Sequence, residues 1–218
     1  NYKRWTTPHN EPGALNFMIN VASKDPVKGP ILGDVEFRRA LSLGMDRDTI
    51  IATFYSVGPY VSKKAQFSFL EDSPYYDETW TNSYVEFDVE EANAKLDAMG
   101  MTQYDDDGWR MTPDGQAFDL TVLSPSYDVQ WTEVAEMVAS QWRENLKLNI
   151  NVSMLDPSLW GQRLNANDFE ITDLTGSGCN GFQTVTNTSV QNWTAYTGNA
   201  DWGCYALTGA YLEGEAAG

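Results

Sequence analysis

Residues 103–114 read Gln-Tyr-Asp-Asp-Asp-Gly-Trp-Arg-Met-Thr-Pro-Asp. Carboxylates at alternate positions ahead of a glycine are how a calcium loop begins, because a hard cation wants several oxygens converging from one tight turn. With Gly108 at the sixth position, Asp105 and Asp107 take the third and fifth. Gln103 then stands at the first and Asp114 at the twelfth, where a carboxylate and a glutamate are required. The alternative is an acidic turn leading into a hairpin, with Asp114-Gly115 as its tight turn.

Other reactive groups are sparse. Cys179 and Cys204 are the only cysteines and His9 the only histidine, too few for a zinc site, which wants four such ligands. The two thiols read either as unrelated buried residues or as a disulfide across the glycine-rich stretch between them. His9 lies in a proline-bounded loop with no Ser and Asp placed around it. There is no glycine-rich phosphate loop with its lysine. No catalytic residue, metal or cofactor is therefore assigned. Aromatic rings are the better candidates. Trp160 follows a capped helix start, and Trp193 and Trp202 lie in Asn/Gly-rich sequence with Asn180, Asn192 and Asn199. Flat rings beside amides suit stacking on a sugar or covering an apolar side chain.

Charge removes one whole class of function. Residues 37–54, Phe-Arg-Arg-Ala-Leu-Ser-Leu-Gly-Met-Asp-Arg-Asp-Thr-Ile-Ile-Ala-Thr-Phe, form two helical pieces at a tight corner, with the look of a DNA-reading motif. Yet 14 Lys and Arg oppose 31 Asp and Glu, a net charge of −17. A nucleic-acid binder must replace counterions with a basic stripe, and this chain repels phosphate. No run approaches the roughly 18 apolar residues of a membrane helix. The chain opens on Asn1-Tyr2-Lys3-Arg4-Trp5, without an apolar leader or a lipid-attachment cysteine. It reads as cytosolic or as a piece of a processed, longer protein.

The positioning elements follow from periodicity. Leu15, Phe17, Ile19 and Val21 alternate as a strand. Residues 22–33, with Pro26, Gly29, Pro30 and Gly33, read as a loop. Asp34 and Asp46 are N-caps for the helix pair, and Gly44 ends its first member. Residues 56–87 read as irregular. Asp88 to Gly100 is a helix with capping-box spacing at Asp88 and Glu91. Phe118, Leu120 and Val122 alternate as a strand. Residues 130–146 are a helix with Trp131, Val134, Ala135, Val138, Trp142 and Leu146 on its core face. Leu148, Ile150, Val152 and Met154 make another strand. Asp156-Pro157 opens a helix through Leu164, and Phe169 and Ile171 begin the last strand. Strands alternating with helices predict an α/β layer with a mixed sheet.

These segments, taken in order, resemble the oligopeptide/dipeptide-binding family (family 5) of ABC-transporter solute-binding proteins. The corner, "DVEFRRALSLGMDRDTII", is similar to the family's acidic residue, Arg-x-Ala-Leu helix and Asp-Arg helix start. "LNFMIN" resembles the strand before it, "DVEEANAKLDAMGM" the Ala-Lys-x-Leu helix, and "DDDGWRMTPDGQAFDLTVL" the acidic hairpin and next strand. "VAEMVASQWRENLKLNINVSML" and "WGQRLNANDFEI" are similar to the helix–strand and helix–strand that follow. The resemblance covers residues 15–175.

It implies a mixed-sheet lobe of a type II periplasmic-binding-protein-like fold. Residues 1–218 would be a single C-terminal ligand-binding lobe of a longer two-lobe protein. Residues 1–14 would be a crossover segment, and 183–218 an irregular, incomplete C-terminal part. The corner would then be scaffold, with Arg38 and Asp46 making caps and surface pairs. The implied role is capture of an oligosaccharide or oligopeptide between this lobe and the missing N-terminal one, followed by delivery to an ABC permease. Its place would be extracellular, as a cell-surface lipoprotein or periplasmic protein, with no catalysis and no nucleic acid.

The family also carries a ligand-facing segment after the last strand, with a Trp and an Asp that pairs with a peptide's ammonium. Here Gly176 stands for the Trp and Cys179 for the Asp, with Asp173 nearby on the strand. An ammonium buried without its carboxylate costs several kcal/mol, so the expectation leans to oligosaccharide. The cleft-lining residues expected are Trp160, Gly178, Cys179, Asn180 and Phe182. Trp160 would stack, Asn180 would hydrogen-bond, and the glycines would admit backbone close to the solute. Two other readings remain open: an extracellular carbohydrate-active enzyme or binding module, and a calcium-dependent adhesion domain.

Overall fold

The computed structural model describes residues 15–57, 60–61, 64, 77–127 and 129–174. In chain order the elements are β1 (Asn16–Ile19), α1 (Lys28–Gly33), α2 (Val35–Leu43), α3 (Arg47–Phe54), β2 (Ser56–Val57), β3 (Tyr60–Val61), α4 (Glu78–Thr81), α5 (Val89–Ala98), β4 (Asp119–Pro125), α6 (Val129–Leu146), β5 (Asn149–Leu155), α7 (Pro157–Asn165) and β6 (Ile171–Leu174). The main sheet runs β1-β6-β4-β5. β4 is parallel to β5 and to β6, and β1 is antiparallel to β6. The mixed α/β architecture expected from the alternation is what forms.

The caps read from the sequence do close the helices. Asp34 accepts from the Glu36 N–H at 2.8 Å, Asp46 from Thr49 at 3.1 Å, Asp88 from Glu91 at 2.9 Å and Asp156 from Ser158 at 2.8 Å. The Glu91 carboxylate does not reach back to complete a capping box; it pairs with Lys95 at 3.0 Å. Two regions differ from expectation. The loop expected at 22–33 contains α1, because Ile31 and Leu32 bury against the core and Arg38 donates to the Leu32 and Gly33 carbonyls at 3.1 and 2.8 Å. The stretch expected to be irregular at 56–87 contains the β2–β3 ribbon and α4.

The two faces of the sheet are covered differently. On one face α6 lays Val134, Val138, Trp142 and Leu146 against Leu120, Val122, Ile150 and Ile171, and α2 and α5 add Phe37, Leu41 and Leu96. Trp142 is 1% exposed and donates its indole N–H to the Leu41 carbonyl at 2.8 Å, so a large ring enters the core without stranding its donor. On the other face α7 packs Trp160 and Leu164 on Leu123, Met18 and Phe169. α6 carries the chain from β4 out to β5, and α7 carries it back across β4 to β6. Because parallel crossovers are right-handed, reversing direction requires the second helix to lie on the opposite face.

The helix corner is scaffold. Gly44 closes α2 with a backbone carrying φ −76°, so no special dihedral demands glycine there. Space does: a Cβ at Gly44 would lie 2.7 Å from Leu146 Cδ1. Arg47 is turned inward, donating to the Ser42 carbonyl at 2.8 Å and its hydroxyl at 2.7 Å. Arg39 lies over the Tyr84 ring at 4.8 Å. Both arginines make local contacts within the corner and with Tyr84.

Candidate functional site

Three parallel strands end together at Pro125, Leu155 and Leu174, and β1 begins opposite Leu174. From this edge the β4 connection leaves toward the α6 face and the β5 connection toward the α7 face. Adjacent strands whose connections part in opposite directions leave a crevice at their carboxyl ends, which is where open α/β sheets bind ligands. The Ser126 N–H donates to the Leu155 carbonyl at 2.8 Å, tying the two loops together at this point.

An aromatic cluster spans the same point. Tyr127, in the loop between β4 and α6, meets Trp131 of α6 edge-on at 6.1 Å and Trp160 of α7 edge-on at 6.2 Å between centroids. Tyr127 is 54% exposed, whereas Trp160 is 4% exposed. The Trp160 indole N–H is used inside the protein, donated to Thr172 Oγ1 at 2.8 Å, and that hydroxyl donates onward to the Leu123 carbonyl at 2.7 Å. Trp160 thus stands behind Tyr127, and Tyr127 is the ring that meets solvent. Val129 and Leu159, in the first turns of α6 and α7, are 70% and 47% exposed.

On the α6 side of the edge lies a second feature. Asp173, one residue from the end of β6, is fully buried. Its Oδ2 accepts from Ser124 Oγ at 2.7 Å, and Ser124 is 3.2 Å from the Thr132 hydroxyl in the first turns of α6. Its Oδ1 has no hydrogen-bond partner among the described residues. Burial pushes the carboxyl up to about 7, against the opposing pull of the Ser124 hydroxyl and its own backbone N–H.

Of the residues expected to line a cleft, Trp160 is at this edge. Gly178, Cys179, Asn180 and Phe182 lie outside the described residues, as do Cys204, Trp193, Trp202 and His9. The structure brings together Tyr127, Trp131, Ser124 and Thr132, which the sequence reading did not single out as a site. Trp131 was expected on the core face of its helix; it packs instead on the smaller cluster with Trp160. The available signal was the polar Ser124-Pro125-Ser126-Tyr127 run directly after an apolar strand, with Trp131 one turn further on.

The acidic hairpin is built by its own backbone. Asp105 Oδ1 accepts from the Asp107 and Trp109 N–H groups at 3.0 and 2.8 Å, and Tyr104 bridges Arg110 across the turn. A second turn follows, where the Gly115 N–H donates to the Thr112 carbonyl at 2.9 Å. Among the described residues no group of three or more His, Cys, Asp or Glu side chains converges on a possible metal position.

The family model for bacterial extracellular solute-binding proteins, family 5 Middle, matches residues 1–201. Among solved structures, the oligopeptide-binding protein OppA superposes with a TM-score of 0.77 at 26% identity, covering 94% of this chain. NikA from Brucella suis, in complex with Fe(III)-EDTA, superposes at 0.70 with 20% identity over 93% of the chain. The periplasmic binding protein MelB from Agrobacterium fabrum, in complex with stachyose, superposes at 0.63 with 18% identity over 83%. The last two likenesses concern the fold alone. The chain spans 31%, 37% and 28% of those three proteins. No curated protein sequence matches it.

Proposed function

Because this chain belongs to the bacterial extracellular solute-binding proteins of family 5, we propose that it is one lobe of an ABC importer's receptor, whose solute is an oligosaccharide or oligopeptide. The receptor works outside the cytoplasm, as a periplasmic or surface-anchored protein, and hands its solute to a permease. The solute lies at the carboxyl edge of the sheet, between this lobe and a second one supplied by the rest of the protein, and hinge closure commits it.

The observation that carries this reading is the aromatic cluster at the crevice. A half-exposed ring held by two tryptophans is a rigid platform, and rigid rings bind at low entropic cost. Gly178, Cys179, Asn180 and Phe182 would complete the lining from the chain that follows β6. MelB and NikA carry two unlike ligands, stachyose and Fe(III)-EDTA, on this one fold. Aromatic rings and neutral hydroxyls at this edge favour a sugar, whose apolar faces stack and whose hydroxyls pair with such groups.

The test is the melting temperature of the full-length protein with a panel of di- to hexasaccharides and of peptides of two to five residues. A ligand at 100 times its Kd adds about 2.7 kcal/mol. A shift with saccharides that is lost in Tyr127→Ala supports the reading. A peptide shift unaffected by Tyr127→Ala contradicts the sugar assignment, and silence from the whole panel contradicts capture of either class. Conversion of any saccharide into shorter products would make the protein an enzyme instead.

A further inference from the structure

The aromatic edge leaves one group unexplained. A carboxyl buried without a cation is costly, and a buried polar atom without a hydrogen bond is costly again. Among the described residues Asp173 is both, and it sits one residue from the end of β6. β6 is only four residues long, and beyond Asp173 it holds a single further residue, Leu174, paired with Asn16 of β1. The described pairing of β6 with β4 stops at Leu123 and Thr172. From Asp173 onward the strand end is therefore held to β4 by the Ser124 side chain, not by ladder pairing.

We propose that Asp173 is a proton-operated latch on the end of β6: protonated, it keeps that end shut against β4 and β1, and loss of the proton makes the end open more often. A neutral carboxyl keeps its hydrogen bond to Ser124 and carries no charge to be solvated. An ionised one is far better solvated by water than in the shut state, and lifting the last residues of β6 would bring it to water. Its described neighbours offer no competing switch. From β4 it faces Ser124, from α6 the Thr132 hydroxyl through Ser124, and from β1 its register partner Phe17. None of these titrates, the acids of that part of α6, Glu133 and Glu136, are exposed, and no charged neighbour among the described residues contributes to the displacement of its pKa.

The sign follows from linkage. In the shut state the carboxyl titrates at about 7, and in an open, hydrated state near its ordinary 3.8. Opening therefore becomes more favourable as pH rises between those values, by about tenfold for each pH unit, and levels off above about 7. Strand β6 runs directly into the segment proposed to line the cleft, so the latch would set how firmly that segment is anchored. The latch itself does not depend on the identity of the solute.

Backbone hydrogen exchange of the full-length protein, without solute, tests it. Rates are measured from pH 4.5 to 8.5 and divided by the intrinsic rate at each pH. Opening of the β1 and β6 amides should rise about tenfold per unit and level off near pH 7, while amides at Val138 and Ala139 in α6 stay level. Asp173→Asn should abolish the rise. Ser124→Ala, which removes a donor that favours the charged form, should move the plateau to higher pH. The same profile in wild type and Asp173→Asn overturns the latch, as does opening of α6 in step with β6. If the asparagine variant does not fold, the serine variant decides: a plateau that does not move overturns the proposal. Loss of saccharide binding with the exchange profile intact would sink the functional reading and leave the latch standing.

Discussion

Tyr127 and Trp160 meet edge-on at 6.2 Å although they belong to different βα units on opposite faces of the sheet. One ring is half in water and the other is buried with its N–H already paired. The pair therefore divides two tasks, contact and support, and substitutions should separate them.

Tyr127→Ala should leave the melting temperature nearly unchanged, since an exposed side chain contributes little to the core. It should weaken saccharide binding tenfold or more, the loss of about 1.4 kcal/mol. Trp160→Ala should instead cost about 3–5 kcal/mol of stability, as large-to-small changes of buried aromatics do. Calorimetric titration and denaturant melts of both variants separate the outcomes. Equal loss of stability in the two would contradict the division.

Asp173 should make global stability fall as pH rises. Its carboxyl is raised in the folded state from 3.8 to about 7, so the folded state holds the proton that the unfolded state has lost. Stability is then greatest below pH 4, declines between about 4 and 7, and is flat above, with a span of up to about 4 kcal/mol. Asp173→Asn should flatten this part of the profile and leave the variant more stable than wild type at pH 8. Urea midpoints at pH 4.5, 6 and 8 check it, and parallel profiles would refute it.

Gly44→Ala should destabilise by about 1–3 kcal/mol through overpacking against Leu146. The added methyl meets the tip of a side chain, 2.7 Å from Cδ1, so the neighbour can be trimmed. Leu146→Val in the same chain should recover part of the loss, giving a non-additive double-mutant cycle. Strict additivity would place the strain elsewhere.

Arg110 should be the costliest polar substitution. It is 2% exposed, and its guanidinium donates to the Leu146 carbonyl at 3.2 Å, Asn93 Oδ1 at 2.9 Å, Asp97 Oδ1 at 2.5 Å and the Met101 carbonyl. It ties the acidic hairpin to α5 and to the end of α6. Arg110→Ala leaves the Leu146 and Met101 carbonyls and Asn93 Oδ1 without their donor and should cost about 3–5 kcal/mol, at about 1–3 kcal/mol for each stranded buried acceptor. Arg110→Lys should not rescue it, because a single ammonium cannot reproduce the fork. Full rescue by lysine in a thermal melt would show that charge alone matters.

The sequence by itself determined most of the elements and the caps that start the helices. Apolar periodicity at 2 or 3.6 residues, with Asp34, Asp46, Asp88 and Asp156 as caps, is a local property, and local hydrogen bonds satisfy it. The family was legible for the same reason, since ordered segments such as the helix corner and the acidic hairpin are short-range patterns. It missed α1, whose helix depends on burial of Ile31 and Leu32 by partners distant in the chain. The site was legible only in part. The sequence singled out Trp160 as a ring just after a capped helix start, and the structure places it at the carboxyl edge of the sheet. That it stands behind Tyr127, that Trp131 joins it away from the main core, and that Asp173 is sealed beside Ser124 were decided by the tertiary structure. The physical reason is that exposure and hydrogen-bond partnership belong to pairs of residues brought together by the sheet, and no spacing along one strand or helix encodes them.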